Sequence, residues 1–143
     1  MNETAEQRSR TMRAVRSYDT KPETTVRRYL HAAGLRYRLH DKKLPGKPDL
    51  VFRSRKIALF IHGCFWHQHP SCAKASRPRS RTDYWNKKLD GNIDRDNRHC
   101  AELERNGWTV LVIWECETRD PKTLETLACQ IEKTRVRRAI CSP

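Results

Sequence analysis

No apolar run in this 143-residue sequence approaches the length needed to cross a bilayer, which is roughly 20 residues. Residues 1–13 are polar and basic and lack the apolar stretch of a secretory signal peptide. The sequence also contains no internal repeat and no pattern that indicates a second folded domain. These absences argue against a secreted or membrane protein, and we expect one cytoplasmic domain without membrane association.

Acidic residues are scarce: 17 Asp and Glu stand against 30 Lys and Arg, so the formal net charge is +13. The basic residues are spread along the chain rather than collected in one tail. Because such an excess repels itself, it predicts a polyanionic partner, and nucleic acid is the usual one. In a reducing compartment the six cysteines favour metal binding or buried thiols over disulfides.

Residues 1–19 carry few apolar groups and are interpreted as a basic arm, and residues 20–143 as a single folded domain. Met12 lies among four arginines and is a candidate wedge between DNA bases. A tail that stays disordered without a partner is the alternative reading of this segment.

The remaining pattern predicts an α/β fold, a mixed central sheet flanked by helices. Predicted strands cover residues 35–40, 49–52, 57–61 and 108–114, the last as a central strand. Predicted helices start at Thr20 and end at Gly34, cover 83–89, start at Asn92 and end at 106, and start at Asp120. The second and third strands should form an antiparallel hairpin, which places Asp49 near His62.

Residues 57–72 change character halfway along. An apolar run, 57–61, is followed within eleven residues by three histidines, two cysteines and the pair Phe65-Trp66. Packing alone does not need this mixture. We therefore expect a buried strand that delivers polar and metal-binding groups to a site at its C-terminal end.

Cysteine and histidine spacing suggests a structural zinc site. Cys64, His69 and Cys72 have the pattern C-x4-H-x2-C, and Cys116 follows the predicted strand 108–114. Thiolates and an imidazole suit tetrahedral Zn²⁺, and four protein ligands leave no open position for catalysis. Ordinary buried thiols are the alternative interpretation.

A second set of residues suggests phosphodiester chemistry. Asp49 follows Pro-Gly-Lys-Pro and offers the carboxylate oxygen that Mg²⁺ prefers. His62 and His67 can accept a proton from an attacking water, and Asp96 can orient a histidine. Taken singly, such an aspartate is usually a turn or cap residue and such a histidine a surface or core residue. Phe65 and Trp66 can stack on bases, with core packing as the alternative.

These motifs together resemble one family, the very short patch repair (Vsr) endonucleases. The resemblance rests on Phe-Ile-His-Gly-Cys-Phe-Trp-His-Gln-His-Pro-Ser-Cys at 60–72 and Pro-Gly-Lys-Pro-Asp at 45–49. Arg95-Asp96, Gly107-Trp108 and the Trp-Glu-Cys of 114–116 also match, as do residues 8–16 and 19–23. It extends in order from about Arg8 to Cys116.

The resemblance implies a restriction-endonuclease-like fold with a structural zinc. It implies Mg²⁺-dependent nicking of one strand of double-stranded DNA, 5′ of the thymine in a T:G mismatch left by 5-methylcytosine deamination. Asp49 resembles the magnesium-binding aspartate, His67 the general base and Asp96 its orienting partner. The other implied site residues are His62 beside the scissile phosphate, the acidic Glu23, the wedge Met12, Phe65 and Trp66, and the zinc ligands Cys64, His69, Cys72 and Cys116.

One position departs from some members of the family. Ile61 stands where those members have threonine, so a magnesium ligand there must be the backbone carbonyl rather than a hydroxyl. We expect a monomer, and mismatch-repair proteins are open as partners. Two alternatives remain: a restriction-type nuclease that cuts both strands, and a zinc-stabilised DNA-binding module without catalysis.

Overall fold

The computed structural model describes residues 20–134, and the predicted arm with Met12 lies outside this range. The helices are α1 (Lys21–Ala32), α2 (Thr82–Arg105) and α3 (Pro121–Lys133). The strands are β1 (Arg38–Leu39), β2 (Leu50–Phe52), β3 (Ile57–His62) and β4 (Thr109–Trp114). Short 3₁₀ turns occupy Arg53–Arg55, Ala73–Ala75 and Glu115–Arg119. A four-stranded mixed sheet with flanking helices confirms the predicted α/β class.

Helix α1 begins and ends where the sequence predicts. The Thr20 side chain accepts a hydrogen bond from the Glu23 backbone N–H at 3.4 Å, and Pro22 lies in the first turn. This hydrogen bond is one of the two that make up a capping box. At the other end Gly34 has a φ of +88°, a left-handed conformation that glycine adopts without steric cost.

The sheet order is β1-β2-β3-β4. Strands β2 and β3 form the predicted antiparallel hairpin, with Leu50 opposite Leu59, and β4 runs parallel to β3. The predicted central position of β4 is wrong: it is the edge strand of the described sheet. An apolar sequence still fits an edge strand here, because α3 covers the face of β4 that carries Leu111 and Ile113. Val112, also in β4, is 38% exposed.

The first predicted strand, residues 35–40, is also shorter than expected. Only Arg38–Leu39 pairs with β2, and both side chains are exposed. The chain leaves the extended conformation at His40, which has a φ of +46°. This turn ends the strand and directs the His40 side chain towards α1.

Alternate residues of β3 pack on opposite faces of the sheet. Ile57 and Leu59 belong to the core formed with α1 and α3, whereas Ala58 and Phe60 pack with Leu103 of α2. Because the side-chain period is two, His62 lies on the α2 face of the sheet. Burial of both faces fixes the register of β3, since a one-residue slip would exchange the two sets.

The predicted break at Gly91-Asn92 does not exist. Residues 82–105 form one continuous helix, α2, that passes through both positions. A glycine inside a helix costs only about 1 kcal/mol relative to alanine, and tertiary packing overrides such a cost. Asn92 is therefore not a cap; its side chain donates a hydrogen bond to the Trp66 carbonyl at 3.0 Å.

Helix α3 agrees with its prediction. Asp120 accepts a hydrogen bond from the Lys122 backbone N–H at 3.0 Å, and Pro121 opens the helix. Leu124, Leu127 and Ile131 form its buried face. Within residues 20–134, no helix has the length and apolarity needed to cross a membrane.

Candidate active site

The hairpin of β2 and β3 positions the predicted magnesium aspartate. Asp49 directly precedes β2, and its Oδ2 accepts a hydrogen bond from the Ile61 backbone N–H at 2.7 Å. Since the strands are antiparallel, the start of β2 lies beside the end of β3, where His62 emerges. The carboxylate is therefore held by the backbone of the strand that carries the first predicted histidine.

His62 and His67 form a stacked pair at the end of β3. Their ring centroids are 3.9 Å apart and the planes differ by 5°. His62 is 7% exposed. Burial and, to a smaller extent, the neighbouring His67 together lower its pKa to about 4. His62 is therefore a neutral imidazole at neutral pH.

His67 forms a dyad with Asp96. The imidazole donates through Nδ1 to Oδ2 of the carboxylate at 2.6 Å. This bond fixes the tautomer and leaves Nε2 as the basic nitrogen. The predicted helix start at Asn92 puts Asp96 near the first turn of a helix. Asp96 instead lies in the middle of α2, because that helix does not break at Gly91.

Asp96 lies on the face of α2 that packs against the rest of the protein, between buried apolar residues of the same face. Trp85, Leu89, Asn92, Asp96 and Leu103 recur at spacings of three, four or seven and share one helix face. The apolar members are buried, and the two polar ones bond to residues 66 and 67. The spacing in the sequence therefore indicates that Asn92 shares a helix face with Trp85 and Leu89. The predicted helix break at Gly91 hid this relation, because it placed Asn92 in a different helix.

A second cluster surrounds Asp49. Glu23 in the first turn of α1 is 2% exposed, and its carboxylate is paired with the His40 imidazole. The pKa of Asp49 is raised to about 6, chiefly by burial and also by the negative charge of Glu23, while the hydrogen bond from the Ile61 N–H acts in the opposite direction. The ligand atoms of Glu23, His40 and Asp49 all lie within 4.8 Å of one another. Sequence reasoning missed His40, since only the tertiary structure brings it to Glu23.

These clusters meet at the end of β3. Asp49 is bonded to the Ile61 backbone N–H, and the next residue along the strand, His62, stacks on His67. The site thus combines a carboxylate suited to a cation with an imidazole oriented by a second carboxylate. This arrangement can bind a metal ion and accept a proton from a water.

The four predicted zinc ligands come together below this site. The Nδ1 of His69 lies 3.7 Å from the Cys64 Sγ and 3.4 Å from the Cys116 Sγ. Zinc bonds of about 2.3 Å to sulfur and 2.0–2.1 Å to nitrogen at tetrahedral angles place such atoms about 3.5 Å apart. Cys72 completes the cluster, whose ligand atoms all lie within 4.8 Å of one another. The donor set and its spacing therefore fit Zn²⁺.

One further feature supports zinc over ordinary thiols. The His69 ring stacks on Trp114 at 4.3 Å, which orients Nδ1 towards the sulfurs. A cation here ties the loop that carries His67 to the end of β4.

The aromatic pair of this loop divides between core and surface. Phe65 is 6% exposed and packs with Trp85 and Leu89. Trp66 is half-buried and lines a recess of about 330 Å³ together with His67 and Tyr84. In this conformation Phe65 is a core residue, whereas Trp66 is accessible beside the dyad.

Arg77, which sequence reasoning did not single out, anchors the loop to α2. Its guanidinium donates to Gln68 at 2.9 Å, to Asn86 at 2.8 Å and to Asp90 at 2.7 Å. Gln68 in turn donates to the Phe65 carbonyl at 2.7 Å. Residues 65–68 are thus held by α2 as well as by the cysteine-histidine cluster.

Known proteins of similar sequence include DNA endonucleases and nicking enzymes. A family model described as DNA mismatch endonuclease Vsr matches residues 2–74. The chain is 39% identical over 128 residues to the DNA mismatch endonuclease Vsr of Escherichia coli, covering 88% of this chain and 81% of that protein. It is 51% identical over 120 residues to the type II nicking enzyme V.XorIIP of Xanthomonas oryzae pv. oryzae, covering 84% and 88%.

The fold has a counterpart among solved structures. The catalytic domain of the homing endonuclease I-Bth0305I superposes with a TM-score of 0.53 and 20% identity, covering 81% of this chain and 94% of that domain. At this identity the similarity concerns the fold alone. The mixed sheet and its flanking helices therefore have the same overall arrangement as that domain.

Proposed function

The chain belongs to the Vsr family of DNA mismatch endonucleases, and from this premise we propose that it nicks one strand of DNA 5′ of the thymine in a T:G mismatch. The observation that carries the proposal is the His67–Asp96 dyad, whose imidazole stacks on His62; the residue before His62, Ile61, donates its backbone N–H to the Asp49 carboxylate. Membership of an endonuclease family argues against the non-catalytic DNA-binding module considered above.

His67 is the general base of the proposed reaction. Its Nε2 accepts the proton of the attacking water, while Asp96 holds Nδ1–H and stabilises the imidazolium that forms. His62, neutral and stacked on His67, keeps a second positive charge away from that ring. Glu23 and Asp49 supply the carboxylates that face the cation.

The donor set at Asp49 fits a divalent cation. Carboxylate oxygens are the ligands that Mg²⁺ prefers, and the Ile61 carbonyl is the proposed backbone ligand. When bound, Mg²⁺ supplies positive charge that stabilises the transferring phosphoryl group and the leaving 3′ oxygen. The Ile61 N–H holds Asp49 in place through the backbone, so this contact does not need the threonine found in some relatives.

DNA binding is assigned to the basic surface and the proposed arm. The net charge of +13 predicts an affinity that falls steeply with salt. Met12, Phe65 and Trp66 are the proposed wedge beside the mismatch, which is weakly stacked and therefore costs less to open. Because Phe65 packs on Trp85 in the described conformation, its insertion requires the loop to move, whereas Trp66 is already accessible.

The remaining parts of the proposal concern the cofactor and the assembly. Zn²⁺ on Cys64, His69, Cys72 and Cys116 is structural, since four protein ligands leave no open position. We assign the chain a monomeric state and a cytoplasmic location, acting on chromosomal DNA. Light scattering of the protein alone and on a mismatched duplex tests the first of these.

A nicking assay tests the central proposal. A duplex labelled separately on each strand, with one T:G mismatch, is incubated with protein and Mg²⁺. We expect His67→Ala and Asp49→Ala to slow nicking by at least 10²-fold, because general-base catalysis alone contributes about 10²–10⁴-fold. His31→Ala is the matched control, since that histidine is exposed on α1. Near-normal rates for the two site variants would refute the assignment.

The same gel separates the alternative reaction. A restriction-type nuclease cuts both labelled strands, whereas the proposed enzyme cuts only the strand that carries the thymine. Duplexes with each other mispair, in several flanking contexts, then define the substrate.

A further inference from the structure

The three residues Glu23, His40 and Asp49 form a mixed cluster of two carboxylates and one imidazole. Only the two carboxylates have a place in the reaction described above. His40 has no counterpart in the motifs that identify the family, and no role follows for it from the dyad. We infer that the His40 imidazole is a third side-chain ligand of the cation held by Asp49, which gives this site a preference for Mn²⁺ over Mg²⁺.

The backbone delivers His40 to the site by a specific turn. Its φ of +46° ends β1, and its N–H donates to the Asp49 carbonyl at 3.1 Å. His40 and Asp49 are thus joined through the main chain, while the His40 Nε2 meets the Glu23 carboxylate. Three separate elements, namely α1, the end of β1 and the start of β2, converge on one small volume.

The separations suit a shared cation. Octahedral ligands at about 2.1 Å from a metal are about 3 Å apart when adjacent and about 4.2 Å apart when opposite. The atoms of this cluster lie within 4.8 Å of one another, so small side-chain movements bring all three onto one ion. The His40 Nε2 contacts the Glu23 carboxylate directly, so a cation bound by both side chains would replace that contact.

Donor chemistry decides which cation is favoured. Carboxylates and water suit Mg²⁺ and Mn²⁺ alike, whereas an imidazole adds affinity mainly for transition metals. Glu23 is buried and Asp49 largely so, and two carboxylates side by side repel each other unless a cation is present. The family's nuclease activity requires a divalent cation here, and His40 then shifts the choice among divalent cations.

This inference rests on the proposed function only in locating the cation at Asp49. Zinc-loaded protein without DNA is titrated with Mn²⁺, and the free ion is counted by electron paramagnetic resonance. Nitrogen coupling to bound Mn²⁺ is read by electron spin echo modulation. We expect one Mn²⁺ per chain with a nitrogen ligand, displaced by Mg²⁺ only at higher concentration.

Variants identify the nitrogen. In His40→Gln we expect the nitrogen signal to disappear and the Mn²⁺ dissociation constant to rise about tenfold or more, with a smaller change for Mg²⁺. In His67→Gln the nitrogen signal should remain, and His31→Gln is the matched surface control. Thermal unfolding confirms that each variant is folded, and the nitrogen signal of the unmodified protein provides a test that needs no His40 variant.

Three results would overturn the inference: no Mn²⁺ bound by the unmodified protein, bound Mn²⁺ without a nitrogen ligand, or unchanged Mn²⁺ binding in His40→Gln. The outcomes also separate the two proposals. Normal nicking by Asp49→Ala overturns the proposed function, whatever the manganese data. Loss of nicking in Asp49→Ala, together with normal Mn²⁺ binding in His40→Gln, overturns only the role of His40.

Discussion

The Asp49 carboxylate is needed for the proposed cation site but lowers the stability of the folded protein. Asp49→Asn measures this loss of stability directly. The pKa of Asp49 is raised from 3.8 to about 6, chiefly by burial and then by the charge of Glu23. Above pH 6 the folded protein therefore holds a carboxylate that is less stable there than in the unfolded chain. Asparagine removes the charge, and its side-chain carbonyl can still accept the hydrogen bond from the Ile61 N–H.

The magnitude follows from linkage. Each pKa unit corresponds to 1.36 kcal/mol, so a rise from 3.8 to about 6 corresponds to roughly 3 kcal/mol. Because the folded pKa is above the unfolded one, the cost is present above about pH 6 and disappears as the pH falls below 3.8. We expect Asp49→Asn to raise the free energy of unfolding by about 1–3 kcal/mol at pH 7.5 and by only about 0.5 kcal/mol near pH 4, with nicking abolished at pH 7.5.

Urea unfolding of zinc-loaded protein without added magnesium measures the difference at each pH. Magnesium must be absent, since a ligand that binds only the folded state would stabilise the unmodified protein selectively. Asp41→Asn is the matched control with the opposite sign, because a hydrogen bond from the Lys43 N–H and the charge of Arg53 lower the pKa of Asp41. A destabilised Asp49→Asn at pH 7.5, or a gap that does not change with pH, would refute the reasoning.

Three further predictions follow from the same region. The His62 imidazole should titrate with a midpoint near 4 by NMR, and a midpoint above 6 would contradict this. Because its pKa is lowered in the folded state, the free energy of unfolding should decrease as the pH falls from 6.5 towards 4. Cys116→Ser should lower the zinc content and the unfolding temperature, and each kcal/mol of lost stability corresponds to about 2–8 °C in a domain of this size. Cys129→Ser should change neither, because Cys129 is exposed on α3, and equal zinc contents in the two variants would contradict the prediction. Leu89→Ala should cost about 2–5 kcal/mol in urea unfolding, because Leu89 is fully buried against Phe65, and a cost below 1 kcal/mol would contradict that packing.

Local chemistry made much of the molecule predictable. The caps at Thr20 and Asp120 and the stop at Gly34 depend on hydrogen bonds and dihedral angles within a few residues. The apolar run after residue 56 and the short turn before it predicted the hairpin, because a tight turn between two apolar strands leaves antiparallel pairing as the simplest result. The cysteine and histidine spacing likewise predicted the cysteine-histidine cluster that the structure brings together.

Other features failed because they depend on what lies across the fold. The length of α2 could not be read at Gly91, since the penalty of a glycine is small and packing of Trp85, Leu89 and Leu103 outweighs it. The same holds for β4: an apolar sequence shows that a strand is buried on its faces, but not whether a further strand pairs with its edge.

The sequence by itself determined the family and supplied the candidate site residues, because motif spacing is a property of the chain. Only the tertiary structure decided that His40 meets Glu23, that Phe65 is buried and that Asp96 reaches His67 from the middle of a helix. The physical reason is that ion pairs, ring stacking and burial act between atoms that are close in space. Their distance along the chain, 17 residues for His40 and Glu23, leaves no local pattern by which to predict them.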